Sequence, residues 1–161
     1  MAWTKTRSMV GLFTLALAAV MVYDAAPVLA QAKKSDAVVK ATATADKPDA
    51  DGKQTVTITL EIEKPWHIYA NPVENEDMAS VQTVVKVTSK ADLKNVKIDY
   101  PTGKIYGEKD EKCRIYEGKI IIKAHLTRAK DDNGPLEVSI QLQACNASSC
   151  LLPATIKKDV P

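Results

Sequence analysis

The chain has 161 residues, 45% of them hydrophobic, with 22 basic side chains against 20 acidic and a formal net charge of +2. That near balance gives no electrostatic footing for nucleic acid or an anionic membrane as a partner, and Lys alternates with Asp and Glu as on a solvated surface. Without residues 1–30, which hold Lys5, Arg7 and Asp24, the count is 20 against 19 and the net charge +1.

The first thirty residues read as an export signal. Lys5 and Arg7 give a basic start, Met9 to Val22 is uncharged and mostly apolar, and Val28-Leu29-Ala30 or Ala30-Gln31-Ala32 offers a small-residue cleavage pattern. A fourteen-residue run spans about 21 Å as a helix, short of the ~30 Å hydrocarbon core, so no membrane anchor is expected after cleavage at Ala30 or Ala32. The expected location is the periplasm or the secreted fraction. About 130 residues remain, enough for one domain with its own core, expected to act as a monomer.

Gln31 to Asp36 is polar and expected to be loose. Ala37 to Ala45 alternates weakly, completing an N-terminal segment with a first strand over residues 31–52, and Pro48, Asp51 and Gly52 mark a turn. Gln54 to Glu63 alternates cleanly, with Val56, Ile58, Leu60 and Ile62 on one face. Trp66 to Tyr69 begins a short strand that Asn71-Pro72 ends. Val81 to Thr88, Val96 to Tyr100, the strand-rich Ile115 to Leu126, Leu136 to Gln143 and Leu151 to Val160 follow, separated by turn signals such as Pro101-Thr102-Gly103 and Asn133-Gly134-Pro135. No window sustains a 3.6-residue apolar period. Seven or eight short strands predict an all-β, immunoglobulin-like antiparallel β-sandwich, with a partly closed barrel as the competing architecture.

Two of the three cysteines, Cys145 and Cys150, flank the connection between the last two strands, where a hairpin would set them face to face within or close to disulfide range. Exported chains meet an oxidising environment, so one disulfide and one spare thiol are expected. As a staple the bridge would stabilise by only about 2 kcal/mol for a six-residue loop, against about 4.7 for a loop of 100. Redox exchange and a structural disulfide both fit the residues. A zinc clip would need Cys113, His67 and His125 to complete its ligands. His67 and Tyr69 alternate with Trp66 and Ile68, so the second pair is expected in the core and the first at the surface or edge, with proton handling as the functional alternative; Tyr116 is weighed in the same way. Met78 and the two histidines do not cluster in sequence, and no cofactor or metal is expected. Asn146-Ala147-Ser148 matches a glycosylation sequon.

The blocks WHIYANP (66–72), YPTGK (100–104), RIYEGKIIIKAHL (114–126) and LEVSIQLQACNASSCLLP (136–153) together resemble the periplasmic N-terminal domain of the thiol:disulfide interchange protein DsbD. The resemblance covers residues 53–161. It implies an immunoglobulin-like domain whose catalytic pair is Cys145 and Cys150, a component of protein-disulfide reduction. The pair would receive electrons from a thioredoxin-like donor and pass them to a periplasmic thioredoxin-fold acceptor such as a disulfide isomerase. It further implies that Cys150 bonds to the downstream partner and Cys145 resolves the mixed disulfide. Members of that family shield their cysteines with an aromatic cap, but Gly107 to Cys113 here has no aromatic residue, and Tyr106 is the nearest candidate. The sequence therefore predicts a pair open to small reagents. A sequon between such cysteines in a mainly bacterial family reads as coincidence. Cys113 has no family counterpart; it reads as a partly exposed spare thiol, or as a resolving or regulatory cysteine near the pair. With no Lys, Arg or His within four residues of either cysteine, both thiols are expected near the ordinary ~8.5.

Overall fold

A computed structural model describes Met1 and residues 33–130 and 132–161; apart from Met1, the expected export signal and its cleavage sites lie outside the described residues. Eleven strands occur among the described residues: β1 (Val39–Ala45), β2 (Lys53–Ile62), β3 (His67–Tyr69), β4 (Val84–Ser89), β5 (Lys94–Asp99), β6 (Lys104–Tyr106), β7 (Cys113–Tyr116), β8 (Lys119–Thr127), β9 (Leu136–Leu142), β10 (Ala144–Cys145) and β11 (Ala154–Val160).

The clean alternation of β2 fixes which face turns inward. Val56, Ile58 and Leu60 are fully buried while the intervening threonines stay half-buried. Each such side chain contributes roughly 1.5–3 kcal/mol by leaving water. β9 repeats the pattern with Leu136, Val138, Ile140 and Leu142. These two strands sit in different sheets, ordered β1-β2-β8-β5 and β11-β9-β4, and their inward faces share one core cluster. All strand pairs within the sheets are antiparallel. The domain is an all-β immunoglobulin-like sandwich.

A third sheet, β10-β3-β7-β6, adds Ile68, Tyr116 and Ala144 to the same core. The strand-rich stretch expected over Ile115 to Leu126 divides here. Gly118, at φ 63°, turns the chain between β7 and β8, which enter different sheets. β4 starts later than expected because Glu76–Val81 coils into 3-10 turns, capped by the Asn75 side chain accepting the Asp77 N–H at 3.0 Å. β6 is held close to β7 by a glycine. A methyl group on Gly103 would lie 2.6 Å from Ala70 Cβ, and its carbonyl accepts from Arg114 Nη1 at 2.8 Å.

At the far end of the sandwich, buried Arg128 holds the turn before β9. Its guanidinium donates to Asp132 Oδ2 at 3.0 Å, Gln54 Oε1 at 3.2 Å and Gly134 O at 2.5 Å. Such a charge is tolerated inside only because its donors are satisfied.

Candidate functional site: a hairpin disulfide and its aromatic neighbours

β9 and β11 form the hairpin expected from the sequence, and at its mouth Cys145 and Cys150 are bridge partners joined by a disulfide, with Cα atoms 4.0 Å apart. The four-residue loop between them is organised by Asn146. Its Oδ1 accepts the N–H groups of Ser148 and Ser149, both at 2.9 Å, and its own N–H donates to Ser149 O at 2.9 Å. The sequon asparagine thus builds the loop.

The two sulfurs have different surroundings. Cys145 lies in β10, 2% exposed, whereas Cys150 is exposed along with Ala147 to Ser149. The sequence places both at the hairpin mouth and expects an open pair. The correction is that only one cysteine is open, because β10 pairs with β3 and carries Cys145 inward.

Register then defines the neighbours. Cys145 faces His67, Tyr69 faces Ile115, and Cys113 faces Tyr106. Opposed residues share a face, and so do alternate residues along a strand. Cys145, His67, Tyr69, Cys113 and Tyr106 therefore line one face of the third sheet. Of the residues singled out from sequence, four gather on the face that bears the buried cysteine. Tyr116 does not. It points the other way into the core, where its hydroxyl accepts the Asn71 N–H at 3.2 Å and lies 2.9 Å from Pro101 O. There it ties the segment after β3 to the segment before β6.

His67 was expected at the surface or edge and is instead 4% exposed. The alternation was read correctly, but β3, an inner strand of this sheet, is covered on both faces at His67 and Ile68. The Tyr106 ring lies 4.6 Å from the His67 ring, and the Tyr69 ring 6.1 Å away at nearly right angles. Burial pulls His67 below its ordinary 6.5, opposed by the negative charge of Glu117. His67 is accordingly neutral at pH 7, with a free ring nitrogen to accept a proton. Burial likewise raises the Tyr69 phenol, with smaller contributions from Cys113 and Tyr106.

Cys113 departs from the partly exposed thiol expected. It is 4% exposed, packed with Val73 and Ile115, and burial raises its pKa. β7 and β10 lie on opposite sides of β3, about 10 Å apart before any offset along the strands, which exceeds the ~7 Å limit for bridging Cα atoms. Met78 packs against the same small cluster. His125 is on β8, with Nδ1 3.1 Å from Thr55 Oγ1 and Nε2 3.3 Å from Asp99 Oδ2.

Residues 109–111, within the stretch where the resemblance implies a cap, form a single exposed 3-10 turn, anchored by Asn75 Nδ2 to Asp110 O and Lys112 O at 3.2 Å. Sequence reasoning missed two further neighbours. Glu117 had no signal beyond its charge. Ser35 was assigned to a loose segment, yet it is fully buried against the cysteine hairpin.

Fold and site together define an immunoglobulin-like domain with an asymmetrically exposed hairpin disulfide. Residues 33–161 match the family model described as "Thiol:disulfide interchange protein DsbD, N-terminal", and the chain belongs to that family. Among solved structures it is similar to the N-terminal periplasmic domain of ScsB from Proteus mirabilis, with TM-score 0.53 and 15% identity over 74% of this chain and 44% of that one. The chain thus spans less than half the length of the Proteus chain. It is also similar to the reduced DsbD N-terminal domain of Neisseria meningitidis (TM-score 0.46, 16% identity, 78% of this chain and 85% of that one). A third similarity is to the complex of the DsbD and PilB N-terminal domains from the same organism (TM-score 0.44, 15% identity, 73% and 80%). No curated protein sequence matches the chain.

Proposed function

We propose that this chain is an exported thiol:disulfide exchange domain, working in the periplasm, that carries two electrons at a time through Cys145 and Cys150. The observation that carries the reading is the asymmetry of the pair: one cysteine exposed, the other buried opposite a neutral histidine. Membership of the DsbD N-terminal family supports the same reading.

In the loading step a donor thiolate attacks Cys150 Sγ, forming a mixed disulfide as the Cys145–Cys150 bond breaks. Cys145 leaves as a thiolate and takes up a proton. A second donor thiol then attacks the mixed disulfide, releasing Cys150 reduced and leaving the donor oxidised. In the unloading step Cys150 attacks an acceptor disulfide. Cys145, giving its proton to His67, attacks Cys150 Sγ and expels the acceptor as a dithiol. The donor is a thioredoxin-like protein and the acceptor a thioredoxin-fold protein such as a disulfide isomerase, both of which the family implies.

The test is trapping. Cys145→Ser leaves the exposed Cys150 unable to be resolved and should accumulate a thiol-sensitive adduct with a thioredoxin-fold protein from a periplasmic extract. Cys150→Ser, which leaves only the buried sulfur, should accumulate far less. Absence of an adduct with either variant would favour an inert bridge.

A further inference from the structure

The cysteine hairpin is not regular. Ala154 pairs with Leu142 and Cys150 with Cys145, so three steps lead from Leu142 to Cys145 while four lead from Cys150 to Ala154. One residue on the C-terminal arm is therefore extra, as in a β-bulge. A bulge leaves ladder groups without partners, and Pro153, lacking an N–H, adds no donor to the arm. The groups stranded here are the Ala144 N–H, one residue before Cys145, and the Leu152 carbonyl, two residues after Cys150.

Both are satisfied by one side chain more than a hundred residues away. Ser35 Oγ accepts the Ala144 N–H at 2.8 Å and donates its hydroxyl proton to Leu152 O at 2.7 Å. Around it, Ser35 N donates to Leu152 O at 2.9 Å, and Leu152 N donates to Lys33 O at 3.2 Å. Ser35 is fully buried.

We infer that Ser35 is a positioning residue for the redox pair, holding the two arms of the hairpin at fixed separation whether or not the disulfide is present. This rests on the exchange reading proposed above. In the oxidised protein the S–S bond itself closes the hairpin mouth. Once reduced, the arms are joined near the cysteines by the Leu151 N–H to Ala144 O bond, 2.9 Å, the Asn146 N–H to Ser149 O bond, 2.9 Å, the Gln143 Nε2 to Leu151 O bond, 3.0 Å, and the Ser35 hydroxyl. The stability of a protein disulfide relative to two thiols follows how closely the folded chain holds those thiols together. Loss of the hydroxyl orphans the buried Ala144 N–H and leaves the Leu152 carbonyl with the Ser35 N–H alone. The arms then separate in the reduced form, the thiols meet less often, and the disulfide becomes easier to reduce. Ser35 acts through the backbone, by the bonds of its hydroxyl to Ala144 and Leu152.

The experiment equilibrates the protein and its Ser35→Ala variant in glutathione buffers and counts oxidised and reduced forms by thiol alkylation and mass. Two glutathione molecules become one glutathione disulfide for each Cys145–Cys150 bond reduced. Ser35→Ala should shift this equilibrium about tenfold toward the dithiol, equivalent to about 30 mV. An unchanged equilibrium in a folded variant, even one less resistant to denaturant, would overturn the inference and leave exchange intact. If Ser35→Ala does not fold, amide hydrogen exchange at Ala144 in the unmodified protein decides. Protection that persists after reduction supports a clasp independent of the S–S bond; protection lost on reduction overturns it. A pair in the unmodified protein with a potential below about −300 mV would resist glutathione. That result would overturn the exchange reading, and this inference with it.

Discussion

Tyr106 reaches across β7 to lay its ring 4.6 Å from that of His67, the residue opposite Cys145. Tyr106 is 41% exposed and His67 4%, so an outer aromatic covers an inner titratable group. Removing that cover should reverse the effect of burial on the imidazole. In Tyr106→Ala the His67 pKa should rise back toward 6.5, whereas Glu117→Gln should lower it further by deleting the opposing charge. An NMR titration of the ring protons reads both shifts, and equal movement in the same direction would refute the assignment of causes. The sign for stability follows. A folded value below the unfolded one favours the neutral ring, so its contribution is complete above about 6.5 and declines as pH falls through the lower folded value.

Cys113 should behave as an inert side chain. Its thiol is buried and its pKa raised by that burial, so alkylation of the reduced native protein should take Cys150 first and leave Cys113, like buried Cys145, far behind. Mass mapping of the oxidised protein should recover only the 145–150 bridge. Replacement should show packing effects alone: Cys113→Ala should cost less than Cys113→Ser, because burying a hydroxyl between the apolar Val73 and Ile115 costs roughly 1–3 kcal/mol. A 113–150 or 113–145 species formed at native conditions would sink this reading.

The sandwich was legible because its long strands obey a local rule. In β2 and β9 a period of two, filled with Val, Ile and Leu, decides the buried face without knowledge of the partner strand. The hairpin cysteines were legible for the same reason, through the spacing of two flanking strands. β6 and β10 were not, since three and two residues hold too little pattern and exist as strands only because β7 and β3 are beside them. His67 shows the limit of alternation: it separates the two faces of a strand but does not say that both are covered. Ser35 is the hardest case, a serine in a polar stretch whose burial is decided by a bulge near residue 152.

Deleting the disulfide should do little to the fold. The bridge closes a six-residue loop, for which chain entropy gives about 2 kcal/mol, and the core cluster lies largely in other strands. Cys145→Ala with Cys150→Ser is the better variant, since a serine at buried position 145 would add its own desolvation cost. Chemical denaturation should show a loss of about 2 kcal/mol or less, and failure to fold would favour the staple reading.

The acid limb of stability should instead depend on Asp132. Hydrogen bonds from the buried Arg128 guanidinium hold its carboxyl below the usual carboxylate range, helped by the Gly134 N–H. A folded value below the unfolded one gives stability that is present above about 3.9 and lost as pH falls through the folded value. Asp132→Asn should flatten that part of the pH–stability curve and also lower the plateau, because Arg128 is left charged and buried. An unchanged acid limb in Asp132→Asn would place the acid sensitivity elsewhere.

Small reagents should reach the disulfide through one sulfur only. Attack needs access along the S–S axis to the sulfur being attacked, and here Cys150 is exposed while Cys145 is closed in beside His67. The charged residues 108–112 are themselves exposed. A peptide spanning Gln141 to Pro153 would offer both sulfurs. The folded protein, offering one, should be reduced by dithiothreitol within about tenfold of the peptide rate, with the mixed disulfide forming on Cys150. Tyr106→Ala should add a route to Cys145 and raise the rate only modestly, since the open route exists already. Protection of a hundredfold or more, relieved by Tyr106→Ala, would show instead that the ring over His67 extends its cover to both sulfurs.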